Sequence, residues 1–349
     1  MTERLDLPTS PRHSRGLAPP TPAVASFQVD ASTGDLLAGE LATLAAVLDP
    51  WAATVALEAR SALDSHLVGS LGSRLRSLRH HEGPAALVID GLPFVEDPGP
   101  TPVDGTPTDD RCPIAKAVVN WIAERMGVFL CGYPNIADGR FFHDVNPVRA
   151  TKRPLSSKGA DLALPLHSDS ASNDDRPDYL LLWSIRPAPS DRVVTTYAAI
   201  GDALRLLAPA TIERLRSPSF RLQTPTIADV KEGDEQWSQP VAIVSGPEAA
   251  PELRLHATRT ECLDSEAETA LAELVAALAE VTVDIPMEQG RLLVISNRRG
   301  VHGRNGFTPT YGTDERWLLR SYLMIDPWSR RDALIEGRAL SALTTIGGS

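Results

Sequence analysis

Gly290-Arg291-Leu292-Leu293-Val294-Ile295-Ser296-Asn297-Arg298-Arg299-Gly300-Val301-His302-Gly303-Arg304 reads as an apolar strand, then a tight basic turn that delivers His302 at the start of another strand. Far upstream, Leu162-Ala163-Leu164-Pro165-Leu166-His167-Ser168-Asp169 reads as a strand end. Residues two apart on a strand share a face, so His167 and Asp169 project together into one cavity. With eight His and 45 Asp or Glu in 349 residues, one H-x-[DE] is expected by accident. A second does occur, His80-His81-Glu82, but it follows the helical stretch Leu75 to Leu78 and precedes Gly83-Pro84, where residues two apart diverge. That copy reads as solvated surface.

His302 lifts the first pair above chance. Its long separation from His167 suits opposite strands of one barrel that meet at its mouth. Two imidazoles and one carboxylate on one face of an octahedral metal leave three open positions, the facial triad of non-haem Fe(II) oxygenases. Zinc on the same ligands is the competing chemistry, although zinc hydrolases usually show a helical HExxH-type pair, which is absent here.

From Gly132 onward, short runs rich in Val, Leu, Ile, Thr and Tyr alternate with Pro, Gly and Asp clusters. They are Tyr179 to Ile185, Arg192 to Tyr197, Phe220 to Gln223, Val241 to Val244, Leu253 to His256, Val281 to Ile285, Arg291 to Ile295 and Trp317 to Ile325. Strands at that spacing predict a sandwich or closed barrel. Helical periodicity marks Asp35 to Leu48, Ala52 to Leu78 and Ala199 to Arg216, and Pro113 suits the first residue of a helix reaching about Leu130. A last helix follows Ser265, which with Glu268 makes a capping box. Ala85 to Gly91 suits a buried strand. The expected organisation is a flexible tail, 1–25, and a single domain, 26–349, with N-terminal helices 35–130 packed on a β core 132–328.

A net charge of -11 argues against nucleic acid or an anionic membrane as the main partner. Three cysteines without a CxxC pair exclude a disulfide framework or zinc ribbon. No apolar run is long enough to span a membrane, and the five prolines before Ala25 do not make a secretory signal. A soluble cytoplasmic protein is expected. GxGxxG, GxxxxGK[ST] and GxSxG are all missing, so nucleotide-binding and serine-hydrolase readings lack their motifs.

Asp144-Val145-Asn146-Pro147-Val148-Arg149, Gly159, Leu162 to Asp169, Asn297 to Arg304 and Asp314-Glu315-Arg316-Trp317-Leu318-Leu319-Arg320 occur in the order and spacing of a known family. Over roughly Pro134 to Ile325 the chain resembles the clavaminate-synthase-like branch of Fe(II)/2-oxoglutarate-dependent oxygenases. The resemblance implies a mainly β fold with flanking helices, a distorted double-stranded β-helix or jelly roll. It also implies Fe(II) on His167, Asp169 and His302, 2-oxoglutarate and O2 as cosubstrates, and hydroxylation of an unactivated C–H bond. The typical substrates are small molecules, amino acids or their derivatives in specialised metabolism such as antibiotic biosynthesis. Arg316 matches the family's arginine for the distal carboxylate of 2-oxoglutarate, a bidentate, charge-assisted pair. Arg320 shares its parity and stands where a residue of the family assists with the carboxylate nearer the iron, and Thr195 matches a family threonine that hydrogen-bonds the cosubstrate. A shift of one residue would exchange Thr195 for Thr196.

The sequence departs from the family at several points. Asp169 stands where Glu is usual, and Ser170-Ala171-Ser172 where an aromatic follows. His143 replaces a common Gln and is a candidate for the substrate pocket. A carboxylate at position 169 argues against halogenation, which needs that position open to chloride. Relatives that oxidise basic amino acids tend to place acids on the strand before the last helix; here it reads Leu255-His256-Ala257-Thr258-Arg259. As a strand, it would separate Leu255, Ala257 and Arg259 from His256 and Thr258, and either side presents a donor or a cation. Arg259 is therefore a candidate substrate residue, for a distal group that is neutral or anionic. The loop Thr224 to Gln239, with its charges and Trp237, is a candidate lid. Desaturation or ring closure by the same site, a non-catalytic metal-binding β-barrel and a zinc hydrolase are the alternatives. Nothing in the sequence sets the oligomeric state.

Overall fold

The computed structural model describes residues 23–45, 53–134, 136–149, 162–189, 193–223, 237–328, 334–335 and 338–341. The N-terminal part runs β1 (Val24–Gln28), α1 (Ala31–Ala45), α2 (Ala53–Leu67), α3 (Ser70–Arg79), β2 (Ala86–Asp90) and α4 (Pro113–Met126). The core begins with β3 (Phe129–Cys131), β4 (His143–Val145), β5 (Leu164–His167), β6 (Tyr179–Arg186) and β7 (Val194–Ala199). Helices α5 (Ile200–Leu204) and α6 (Pro209–Leu215) lead to the short strands β8 (Phe220–Leu222), β9 (Val244–Ser245), β10 (Glu252–Leu253) and β11 (Thr260–Cys262). Then follow α7 (Ser265–Glu280), β12 (Val283–Pro286), β13 (Leu292–Ser296), β14 (Gly300–Arg304), β15 (Trp317–Met324) and a hairpin of β16 (Leu334–Ile335) and β17 (Arg338–Ser341).

Two sheets face each other. The larger has the order β1-β2-β13-β6-β15-β3, with β4 also on β15, and the smaller β12-β7-β14-β5. All pairings are antiparallel except β1 with β2. This is a distorted double-stranded β-helix with flanking helices. Its strands in the larger sheet read as continuous apolar runs because both faces are covered. Leu180, Leu182, Leu293, Ile295, Leu318 and Tyr322 point inward and meet Tyr197 and Ile285 of the smaller sheet. Their neighbours Leu181, Trp183, Leu292, Val294 and Leu319 point outward onto Leu63, Leu71, Val118, Trp121 and Ile122 of the N-terminal helices. Each such side chain contributes roughly 1.5–3 kcal/mol by its burial. The outer face of the smaller sheet, with Ala198 and Val301, packs on Leu274 and Leu278 of α7.

Several expected boundaries shift for identifiable reasons. The helix expected over Ala52 to Leu78 is two, α2 and α3, meeting at Gly69. The stretch Ala199 to Arg216 also divides, because Pro209 cannot continue α5 and instead opens α6. Helix α4 stops at Met126, where Gly127 takes the left-handed conformation, φ 68°, so 129–131 is free to pair as a strand. The capping box does not form: Asp264, not Ser265, is the N-cap, and its carboxylate accepts the Ala267 N–H. Val24 and Ala25, expected in the tail, belong to β1, and 1–22 lie outside the described residues. No helix among the described residues is long and apolar enough to cross a membrane.

Candidate active site

The two imidazoles meet because their strands are neighbours. β14 pairs with β5 and sets His302 directly opposite His167. The expected picture of opposite strands, with His302 at a strand start, is therefore corrected: His302 is the middle residue of β14, between β5 and β7. Gly303 makes the pairing possible. A Cβ there would lie 2.6 Å from the Leu164 carbonyl oxygen and 3.0 Å from Thr196 Oγ1, closer than packed atoms approach. The ladder also shifts register between His302 and Arg304.

The rings of His167 and His302 are 4.4 Å apart, tilted by 42°. Asp169 joins them just beyond the end of β5. Its Oδ1 lies 3.1 Å from His167 Nε2 and 3.9 Å from His302 Nε2. All three residues are buried, with one ligand atom from each within 4.8 Å of the others. His167 Nδ1 donates to the Pro165 carbonyl at 2.8 Å, which leaves the Nε2 lone pair facing the cluster. Burial and neighbouring His167 push the His302 pKa down to about 3, so that ring is a neutral donor. Burial alone would raise the Asp169 pKa, but Arg320 and the two histidines outweigh it and hold the carboxyl well below its ordinary value. Two imidazoles and an ionised carboxylate on one face are a donor set that fits Fe(II).

Asn297 was visible in the sequence only as part of the basic turn. The structure gives it a specific task. Its Oδ1 accepts the Asp169 N–H at 2.8 Å, while Nδ2 donates to the Asp169 and Pro177 carbonyls at 3.0 and 2.9 Å. One fully buried amide thus ties the backbone of Asp169 to the turn that carries His302. Asn297→Ala is expected to leave three buried backbone groups unpaired and let the carboxylate drift. A loss of about 10–100-fold in Fe(II) affinity follows, with the KM for 2-oxoglutarate nearly unchanged. Metal titration beside steady-state kinetics checks this; a KM effect without an affinity effect would contradict it.

The cluster opens into a cavity of about 220 Å³. Arg316 lines it just before β15, 4% exposed. Burial and nearby Arg304 lower its pKa to about 9, still a cation at neutral pH, and Glu315 partly offsets them. Glu315 itself is committed to the N–H groups of Thr310, Tyr311 and Arg316. The Arg316 guanidinium therefore makes no hydrogen bond among the described residues, and a dianionic cosubstrate fits that deficit. Thr195 is buried on the cavity wall opposite Arg304 in the ladder, whereas neighbouring Thr196 is not on that wall. Arg320, on the same face as Arg316, donates to Asp169 Oδ2 at 3.2 Å and lies 4.7 Å over the Tyr322 ring.

His143 does not line the cavity. It sits behind Arg320: Nδ1 accepts from Arg320 Nη2 at 3.3 Å and Nε2 donates to the Arg140 carbonyl at 2.8 Å. A role in holding Arg320 fits this place better than contact with substrate. Arg259 does line the cavity, together with His256. The strand alternation expected there fails, since β10 ends at Leu253 and 257–258 turn, with the Arg259 N–H on the His256 carbonyl. That turn brings to one wall two residues that an extended strand would have separated. Of the candidate lid, 224–236 lie outside the described residues; Trp237 is 40% exposed and bridges Gln223. A larger hollow of about 790 Å³ beside α5 and α6 holds arginines and acids but none of the three clustered ligands.

A double-stranded β-helix that presents two histidines and a carboxylate to an apolar-walled cavity with a buried arginine defines a non-haem iron oxygenase. The family model described as "Taurine catabolism dioxygenase TauD, TfdA family" matches residues 116–322. L-asparagine oxygenase of Streptomyces coelicolor is 31% identical over 255 residues, 72% of this chain and 75% of that protein. Clavaminate synthase 2 of Streptomyces clavuligerus is 29% identical over 244 residues, 69% and 72% of the two chains. The crystal structure of asparagine oxygenase with Fe(II), (2S,3S)-3-hydroxyasparagine and succinate superposes with a TM-score of 0.79 at 27% identity, covering 91% of this chain and 99% of that one. The chain belongs to the TauD/TfdA dioxygenase family. It is an Fe(II)/2-oxoglutarate-dependent oxygenase.

Proposed function

We propose that this enzyme hydroxylates an unactivated C–H bond of an amino acid or amino-acid-derived molecule, with His167, Asp169 and His302 holding the iron. The observation that carries this is the buried cluster of those three side chains in one cavity with Arg316, a buried cation with no side-chain hydrogen-bond partner among the described residues. Relatives supply the substrate class: their names include L-asparagine oxygenase, L-lysine 3-hydroxylase and enduracididine beta-hydroxylase. When bound, Fe(II) and 2-oxoglutarate supply with O2 the oxidant for the C–H bond, and succinate and CO2 are the co-products.

The chain's own contribution is position and exclusion of water. The Pro165 carbonyl holds the His167 ring by its Nδ1–H, and Asn297 holds the Asp169 backbone. Arg320 neutralises the outer oxygen of the Asp169 carboxylate. Arg316 receives the distal carboxylate of 2-oxoglutarate, with Thr195 donating beside it. Leu164, Leu182 and Leu318 give that part of the cavity an apolar wall. Desaturation or cyclisation would use the same residues. The test is succinate release from 2-oxoglutarate with Fe(II), ascorbate and O2, screened over free amino acids and their conjugates. Release stimulated by an amino acid, with product gaining one oxygen atom, is expected. Turnover with Zn(II) and without O2 would overturn the reading.

A further inference from the structure

Asp169 has two carboxylate oxygens, and they have different neighbours. Oδ1 lies 3.1 Å from His167 Nε2 and 3.9 Å from His302 Nε2, whereas Oδ2 accepts from Arg320 Nη1 at 3.2 Å. A carboxylate can hold a metal ion by one oxygen or by both. A guanidinium seated on Oδ2 engages the outer oxygen in a charge-assisted hydrogen bond and leaves Oδ1 for the metal. Where Arg320 stands therefore decides how Asp169 can bind.

Arg320 is held in place from β4. On β15 it lies directly opposite His143 in the antiparallel register. The buried His143 ring has its two nitrogens assigned by their partners, because a carbonyl only accepts and a guanidinium only donates. Nε2 carries the proton and donates to the Arg140 carbonyl at 2.8 Å, so Nδ1 is the acceptor for Arg320 Nη2 at 3.3 Å. The Arg320 guanidinium also lies 4.7 Å over the Tyr322 ring. His143 meets that ring in a T-shaped contact, centroids 5.0 Å apart, and Tyr322 packs in the same way on Tyr133. Of these four side chains only Arg320 lines the cavity.

We infer, on the basis of the proposed ligation of iron by Asp169, that His143 is a positioning residue: through Arg320 it keeps Asp169 Oδ2 engaged, so that the carboxylate presents Oδ1 alone to the metal. Two imidazoles and one oxygen leave three positions of an octahedral ion open. A second oxygen from Asp169 would close one of the three. Loss of the Nδ1 acceptor frees Arg320 from β4 and releases Oδ2 toward the metal.

The experiment uses His143→Leu, which has no acceptor, and His143→Asn, whose amide oxygen stands near the place of Nδ1. His143→Phe keeps a ring without nitrogens and replaces the leucine variant if that one does not fold. Crystal structures with Co(II) as the metal probe count the Asp169 oxygens on the ion. One is expected in the unaltered protein and in His143→Asn, and two in the variants without an acceptor. In the Fe(II)-loaded enzyme, kcat for 2-oxoglutarate turnover should fall about 10–100-fold in His143→Leu, with its KM changed less than about threefold, and His143→Asn should recover most of the loss. In an Arg320→Leu background the same His143 substitutions should have no further effect, since the two residues act as one unit. One oxygen on the ion in His143→Leu, independent effects of the two positions, or a change in KM without a change in kcat would overturn the role of His143 and leave iron on Asp169. Co(II) bound in the unaltered protein without Asp169 would overturn the iron-site reading itself.

Discussion

His302→Ala is expected to abolish 2-oxoglutarate turnover, by at least about 1,000-fold, and His167→Ala to do the same. Loss of an outer partner of a metal ligand typically costs about 10–100-fold, and loss of a ligand itself exceeds that. Neither neighbour can substitute. The only other imidazole on the cavity wall among the described residues, His256, has its pKa lowered to about 3 by burial and by His167, but it lies behind His167, ring centroids 5.5 Å apart. The β5–β14 ladder is made by backbone groups and survives both substitutions, so melting behaviour should stay near that of the unaltered chain. Fe(II) titration distinguishes the cause: both variants should bind the metal more weakly and neither should regain turnover at saturating Fe(II). Full activity in either would remove that residue from the metal site.

Arg316→Ala should raise the KM for 2-oxoglutarate far more than that for the substrate. A desolvated, charge-assisted bidentate pair is worth roughly 2–5 kcal/mol, a factor of about 30 to several thousand. The position is already dehydrated, since Arg316 is 4% exposed, so the guanidinium gives up little further hydration when an anion arrives. Lysine is a poor replacement because its point charge offers no planar fork. Arg316→Lys should therefore recover only part of the loss. Steady-state kinetics with each reactant varied separately reads the split. An unchanged KM for 2-oxoglutarate would move the carboxylate to Arg304 or Arg320.

The metal cluster was legible because its signals are local or periodic. His167-x-Asp169 needs only the two-residue period of a strand end, and His-Gly-Arg carries its own explanation, as Gly303 leaves no room for a side chain against Leu164. That Arg316, just before β15, and Arg320, on it, share a face was legible through the same parity. Thr195 and Thr196 were separable once the register of β7 on β14 was known. Other elements failed where the signal was long-range. Asn297 looks like any polar residue of a turn; its work is done on a loop that meets it only in three dimensions. His143 reads as a pocket residue until Arg320 is found between it and the cavity.

By itself the sequence determined the donor types, the strands that present them and the helices that cover one sheet, whereas the arginine proposed for a dianion came from the family resemblance. Period, turn residues and charge act over a few positions, and they survive without knowledge of the partners. Only the tertiary structure decided that His167 and His302 are cross-strand neighbours, that one buried amide joins Asp169 to the turn before His302, and that Arg259 and His256 share a wall. The physical reason is register. A backbone ladder, a bulge at Gly303 and a turn after His256 each place side chains by pairing distant segments. A slip of one residue in any of them would turn the same side chains to the other face.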